Sequence, residues 1–212
     1  MPELPEVEYE RRRLQRAMAG ARIERLVTRR ANLRYEFQPD FARRLERQTV
    51  RAVRRRAKYL VAELGSGDVL LMHLGMSGSF RIEAGGAPEG APYETHDHVV
   101  FEMSTGRTIV FNDPRRFGFM TLLAPGEIDA HASLRRLGPE PLAPQFTAAV
   151  LARELRRRKT SLKAALLDQR IVAGLGNIYA SEALHRAGLS PRRKASTLVT
   201  RAANRDLRSR FW

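Results

Sequence analysis

The sequence predicts an α+β protein, a β-sandwich with one leading helix followed by a helical domain. Three observations predict this. Pro5 to Ala19 carries Val7, Leu14 and Met18 at helical spacing. The stretch after it breaks into short apolar or alternating runs separated by Gly, Pro or charge, as strands do. From about Ile128 the apolar period changes from two to near 3.6. A boundary between Ala124 and Ile128 follows, giving domains at 1–126 and 127–198 and an atypical basic tail at 199–212.

The leading helix is stopped by Gly20. Ile23 to Val27, Val50 to Val53, Tyr59 to Leu64 and Val69 to Leu74 read as strands. Ala84 to Pro92 is a Gly/Pro/Ala loop. Val99, Phe101 and Met103 then alternate, and Ser104-Thr105-Gly106 turns the chain into a return strand over Thr108 to Phe111. In the second half, Phe146 to Arg158 reads as a helix with Val150, Leu151 and Leu155 inward. Thr160 or Ser161 caps a second helix through Asp168. Gly174-Leu175-Gly176-Asn177 interrupts, and Ile178 to Ala187 forms a third helix closed by Gly188. Val199, Ala203, Leu207 and Phe211 are spaced four apart, so the tail reads equally as a marginal helix or as a disordered basic segment.

Charge is the strongest global signal. A net charge of +15 favours a polyanion, nucleic acid first and an anionic membrane a distant second. Eight Lys/Arg against the single acid Asp206 lie between Arg186 and Trp212. The most apolar run, Val69 to Leu74, is too short to span a membrane, and the N-terminus lacks a signal-peptide pattern. A soluble intracellular protein is expected. With no cysteine there is neither a disulfide nor a thiolate zinc site. The five histidines show no metal-binding spacing. In His96-Asp97-His98, strand alternation puts both rings on one face, where pairing with backbone or phosphate is expected over metal.

The first eight residues, Met1-Pro2-Glu3-Leu4-Pro5-Glu6-Val7-Glu8, hold the most unusual chemistry. With Met1 removed, Pro2 carries a free secondary amine. A modest downward shift of its pKa leaves that amine neutral at pH 7, able to attack an electrophilic carbon and form an iminium. Glu3 adjoins it and Glu6 lies one helical turn further, so carboxylates for proton transfer are close in sequence. The same residues also read simply as a helix start, with Pro5 in the first turn and glutamates complementing the dipole.

Four further motifs carry polar or wedge-like chemistry. Lys58 follows Arg54-Arg55-Arg56 at the start of a strand, suited to phosphate or proton exchange or to a solvated edge. In His73-Leu74-Gly75-Met76-Ser77-Gly78, a glycine-punctuated turn presents Met76, a side-chain type that prises base steps apart and elsewhere fills cores. Asp113-Pro114-Arg115-Arg116-Phe117-Gly118 sets two guanidiniums and a ring on one turn, for phosphate or base edges and for stacking. Gly174 to Asn177 opens a helix where its dipole and backbone N–H groups suit an anion, with Arg156-Arg157-Arg158-Lys159 and Lys163 upstream.

MPELPEVE, RRAKYL, HLGMSGSFRI, HDHV, DPRRFG, KTSLKAALLDQ and GLGNIYASEAL stand here in the order seen in formamidopyrimidine-DNA glycosylases. From Met1 to about Leu198 the chain resembles that family, with MPELPEVE and DPRRFG favouring it over the related endonuclease-eight branch. The resemblance implies that Pro2 is the nucleophile at the sugar's anomeric carbon and Glu3 the general acid/base, with Glu6 in support. Lys58 then assists β-elimination or binds phosphate. Met76, Arg115 and Phe117 fill the gap left by a flipped nucleotide, Arg115 facing the orphaned cytosine. His96, Arg115, Arg158, Lys163 and Asn177 match DNA-contacting positions, and the second domain resembles a helix-two-turns-helix module. The implied partner is damaged double-stranded DNA, met by a monomer in the bacterial cytoplasm with no membrane and no cofactor.

The family's usual ending, a last helix, a lesion-capping loop and a four-cysteine zinc finger, has no counterpart in this sequence. Thr200 to Trp212 reads as an altered reading frame or a truncation, with a natural fingerless variant as the alternative. Two functions are therefore expected in competition: a bifunctional DNA glycosylase and abasic-site lyase for oxidised purines, or a catalytically impaired DNA-binding remnant of one.

Overall fold

In the computed structural model, which describes residues 2–85 and 93–198, the chain divides into two compact units, Met1–His131 and Ala132–Trp212. The first unit opens with α1 (Leu4–Met18). Pro5 occupies its first turn, and Glu3 and Glu6 form a reciprocal capping box in which each carboxylate accepts the other residue's backbone N–H. Leu4, Val7, Leu14, Ala17 and Met18 make its buried face.

Among the described residues eight strands follow: β1 (Ile23–Thr28), β2 (Val50–Arg56), β3 (Tyr59–Leu64), β4 (Val69–His73), β5 (Ser79–Glu83), β6 (Asp97–Met103), β7 (Thr108–Asn112) and β8 (Phe119–Leu123), with a short helix α2 (Phe41–Leu45) after β1. They form two antiparallel four-stranded sheets, ordered β1-β6-β7-β5 and β2-β3-β4-β8. Leu60, Leu70 and Met72 from one sheet and Phe101, Ile109 and Phe111 from the other lie in one core with Leu14 and Met18 of α1. This is an α+β fold with a β-sandwich behind one helix.

Four elements depart from the sequence expectation. β5 and β8 adjoin the glycine motifs ending at Gly78 and Gly118, which mask them as turns, and α2 is little more than one helical turn. β6 is buried on both faces rather than alternating, because Val100 and His98 are covered as completely as Val99 and Phe101. Of the loop expected at Ala84 to Pro92, residues 86–92 lie outside the described residues, as does the tail from Val199 onward.

The second unit carries α3 (Ala148–Leu155), α4 (Leu162–Leu167), α5 (Asn177–Arg186) and a 3-10 turn at Ala195–Leu198. The hydroxyls of Thr147 and Ser161 cap α3 and α4 by accepting the N–H groups of Val150 and Ala164. The Thr147 cap starts α3 later than expected and leaves Val150 half-buried, while Leu151 and Leu155 point into a core with Leu162, Leu166, Ala180 and Leu184. Among the described residues, no helix is long and apolar enough to cross a membrane.

Candidate active site and nucleic-acid interface

Strand register brings the motifs of the first unit to one end of the sandwich. Tyr59 pairs with His73, and His73 with Phe119, across β3, β4 and β8. The hairpin turn before Tyr59, the loop after His73 and the turn before Phe119 therefore emerge side by side. They carry Lys58, Met76, and Arg115 with Phe117. In the other sheet Asn112 stands opposite both Ser79 and Asp97, so the loop into β5, the turn out of β7 and His96 before β6 share the same end.

Lys58 sits in the two-residue turn between β2 and β3 rather than at a strand start, because Arg56 and Tyr59 are the closing pair. Ala57 takes a left-handed φ of 51°, unusual for alanine, with its methyl buried. Arg55 fastens this turn to α1: its Nη1 donates to the Ala57 carbonyl at 2.8 Å and its Nε to Glu8 at 3.1 Å. The guanidinium of Arg11 beside it, with those of Arg12 and Arg55, holds the Glu8 carboxyl down at about 2. Gln15 accepts the Val53 N–H at 2.6 Å, a second tie between α1 and β2. These contacts set the start of α1 against the Lys58 turn. Burial pushes the Lys58 ammonium below its ordinary pKa, and the charge of Glu3 opposes that shift, so the two groups sense each other directly.

Glu3 is 1% exposed, and its buried carboxylate is the N-cap of α1. The Glu6 carboxylate accepts the Glu3 N–H at 2.9 Å, so its place in the structure is the helix cap. Pro2, partly buried, immediately precedes Glu3, the N-cap of a fifteen-residue helix.

His73 belongs to this region although its motif drew attention only for Met76. Its ring stacks on Phe119 at 5.6 Å and lies 4.9 Å from Tyr59, and its Nδ1 accepts the Gly75 N–H at 3.0 Å. That bond requires an unprotonated Nδ1, and burial, with the nearby cations Lys58 and Arg34, lowers the His73 pKa from 6.5 to about 4. The folded state therefore binds this proton less readily than the unfolded chain. His73 contributes stability above pH 6.5 that is lost as pH falls toward 4, on the order of 3 kcal/mol. In urea unfolding between pH 7.5 and 4.5, His73→Asn, which keeps an acceptor but does not titrate, is expected to lose correspondingly less stability than the parent. Equal losses would contradict this assignment.

Met76 and Phe117 are exposed at 38% and 43%, and the Arg115 guanidinium lies 4.7 Å over the Phe117 ring. Beside them opens a depression of about 410 Å³ lined by Asn32, Leu33, Arg34, Arg115, Arg116 and Phe117. His96 is exposed at the same end. His98 is buried, with its Nε2 bonded to the Asp113 carbonyl at 2.9 Å, a backbone pairing of the kind expected for this pair of rings.

In the second unit, Gln169 shapes the glycine loop. Its Nε2 donates to the carbonyls of Leu167 and Leu175, and its Oε1 accepts the Gly174 N–H at 2.9 Å. This loop leads into α5, whose N-cap is Gly176 and whose first residue, Asn177, is exposed. Lys163 lies in the first turn of α4. Arg158 stands 3.7 Å from Asp168, which Arg170 holds at 2.8 Å. Sequence reasoning passed over Gln169 because its side chain acts only on backbone.

For metal binding, the chain supplies no thiolate, and among the described residues no group of three or more His, Asp or Glu is placed to hold an ion.

The fold and this arrangement define a two-unit protein with a sandwich that gathers basic and wedge-like side chains at one end and a separate helical unit. Two family models match it: the formamidopyrimidine-DNA glycosylase N-terminal domain over residues 1–120 and the formamidopyrimidine-DNA glycosylase H2TH domain over residues 137–209. Formamidopyrimidine-DNA glycosylases of Bradyrhizobium sp. (strain ORS 278) and Rhodopseudomonas palustris (strain BisB18) are 63% and 64% identical to it, over 95% of this chain and 71% of theirs. A Lactococcus lactis Fpg in complex with abasic-site DNA superposes with a TM-score of 0.84 at 31% identity, over 94% of this chain and 72% of that one. A mutant of the same enzyme with Fapy-dG DNA gives 0.85 at 32%, with the same coverage. The chain belongs to the formamidopyrimidine-DNA glycosylase family.

Proposed function

We propose that this protein is a base-excision-repair DNA glycosylase and abasic-site lyase that removes oxidised purines, 8-oxoguanine and formamidopyrimidines, from double-stranded DNA. The observation that supports the reading is that Lys58, which feels the charge of Glu3, sits in a turn that emerges beside the Met76 loop and the Arg115–Phe117 turn, with Pro2 adjoining Glu3 in the chain. Once Met1 is removed, the Pro2 nitrogen attacks C1′ and the bond from C1′ to the base breaks, the base leaving with a proton. Glu3 supplies a proton to the ring oxygen as the sugar opens to the iminium. Loss of a C2′ proton then expels the 3′ phosphate, with Lys58 beside the phosphate as proton carrier or counter-charge. Met76, Arg115 and Phe117 occupy the space vacated by the flipped nucleotide, Arg115 turned to the orphaned base. His96 in the first unit, and Arg158, Lys163 and Asn177 in the second, contact the DNA backbone. One such set per chain suits a monomer in the bacterial cytoplasm.

The test is a duplex bearing 8-oxoguanine opposite cytosine beside the same duplex bearing guanine or an abasic site. The expected result is release of the oxidised base and strand cleavage, with no action on guanine and with abasic cleavage the faster, because no intact nucleotide must be flipped. Binding without cleavage of either damaged duplex would leave only a DNA-binding protein.

A further inference from the structure

We propose that Asp113 and Ser77 are positioning residues that lock Met76, Arg115 and Phe117 into one preassembled wedge. The inference rests on the void-filling role given to those three side chains above. It begins with topology. Residues 74–78 carry the chain from β4 in one sheet to β5 in the other, and residues 113–118 carry it back from β7 to β8. The two connections cross the end of the sandwich in opposite directions.

Asp113 joins them. It is 0% exposed, its Oδ1 accepts the Ser77 hydroxyl at 2.5 Å, and its Oδ2 accepts the Gly118 N–H at 2.8 Å. The Ser77 oxygen in turn accepts the Arg115 N–H at 3.2 Å. The Asp113 backbone is held as well: its N–H donates to the His96 carbonyl at 3.0 Å, and its own carbonyl takes the N–H of Arg116 and the ring of His98. One buried carboxylate thus spans the loop that presents Met76 and both flanks of the turn that presents Arg115 and Phe117.

The backbones are also in direct contact. Gly75 has φ +64°, and a Cβ there would collide with the Phe117 carbonyl carbon. A Cβ on Gly118 would lie 2.8 Å from the His73 carbonyl oxygen. No side chain separates the loops, so one cannot shift without the other. A wedge that enters a base stack as a formed body orders little on binding, whereas two independent loops would each lose freedom there.

The test compares the parent with Ser77→Ala, Ser77→Thr and Asp113→Asn on two substrates: 8-oxoguanine opposite cytosine in a duplex, and an abasic site in a single strand, where no stack is opened. A 2-aminopurine beside an abasic site in duplex DNA reports unstacking by its fluorescence. Ser77→Ala, which loses both the bond to Asp113 and the bond from the Arg115 N–H, is expected to lower duplex excision and the fluorescence rise about tenfold or more and to leave single-strand cleavage within about twofold. Ser77→Thr restores both readouts. Asp113→Asn, which still accepts from Gly118, falls in the same direction by less. Equal loss on both substrates, or no loss on either, overturns the proposal. A parent that cleaves neither substrate overturns the functional reading, and this inference with it.

Discussion

Protein that retains Met1 is expected to lose strand cleavage at abasic sites by more than about a thousandfold. An acylated proline nitrogen is a tertiary amide without an available lone pair or proton, so the iminium cannot form. The fold should not notice, because α1 begins at Leu4 and its cap uses Glu3 and Glu6. Thermal unfolding is therefore expected to coincide for the two forms, which separates lost chemistry from lost structure. Pro2→Gly, processed to a free primary amine, is expected to fall between them. It keeps a nucleophile but lacks the ring that fixes its approach and makes the adduct a charged iminium at any pH. Single-turnover nicking of an abasic duplex by protein of known N-terminal mass checks all three. Nicking by the Met1-retaining form at the parent's rate would remove Pro2 from the mechanism.

Glu3→Gln is expected to slow base excision by roughly a hundredfold to ten-thousandfold, the range of a lost general acid/base. The substitution is chosen for what it preserves. Glutamine still offers an oxygen to the backbone N–H of Glu6, so the start of α1 stays capped. Only the proton and the charge are removed. Losing the charge has a second consequence, because Glu3 opposes the burial that pushes Lys58 down. Lys58 should then give up its proton at lower pH than in the parent, and the alkaline side of the rate profile should move with it. Single-turnover excision of 8-oxoguanine across pH, with a melting curve for each protein, measures both effects. A Glu3→Gln variant as fast as the parent would show that Glu3 serves only as a cap.

Much of this arrangement was legible in the residues, for reasons that differ from place to place. The leading helix, β3 and the order of sandwich and helices followed from periodicity, because each has one clearly buried face or a run long enough to show its period. β5, β8 and α2 were not legible: β5 and β8 run directly on from the glycines of the Gly78 and Gly118 motifs, which read as turns, and α2 is little more than one helical turn. The motif residues were legible as chemistry, yet their meeting was not, since it depends on the register that sets Tyr59, His73 and Phe119 in one row. Lys58 shows the difference. Its charge was visible, whereas its place in a tight turn held by Arg55 came only with the fold. Gln169, Ser77 and Asp113 escaped because they act on backbone and on one another, and no spacing rule marks such partners.

The central claim, that the chain's own N-terminal amine is the nucleophile, is tested most directly by finding where the sugar becomes attached. The protein is incubated with abasic duplex DNA and borohydride, the trapped complex is digested, and the adduct is located by mass spectrometry. The expected result is a reduced sugar adduct on the Pro2 nitrogen of a peptide that lacks Met1. An adduct on Lys58 or another lysine, or no adduct from folded protein with Met1 removed, would contradict the claim.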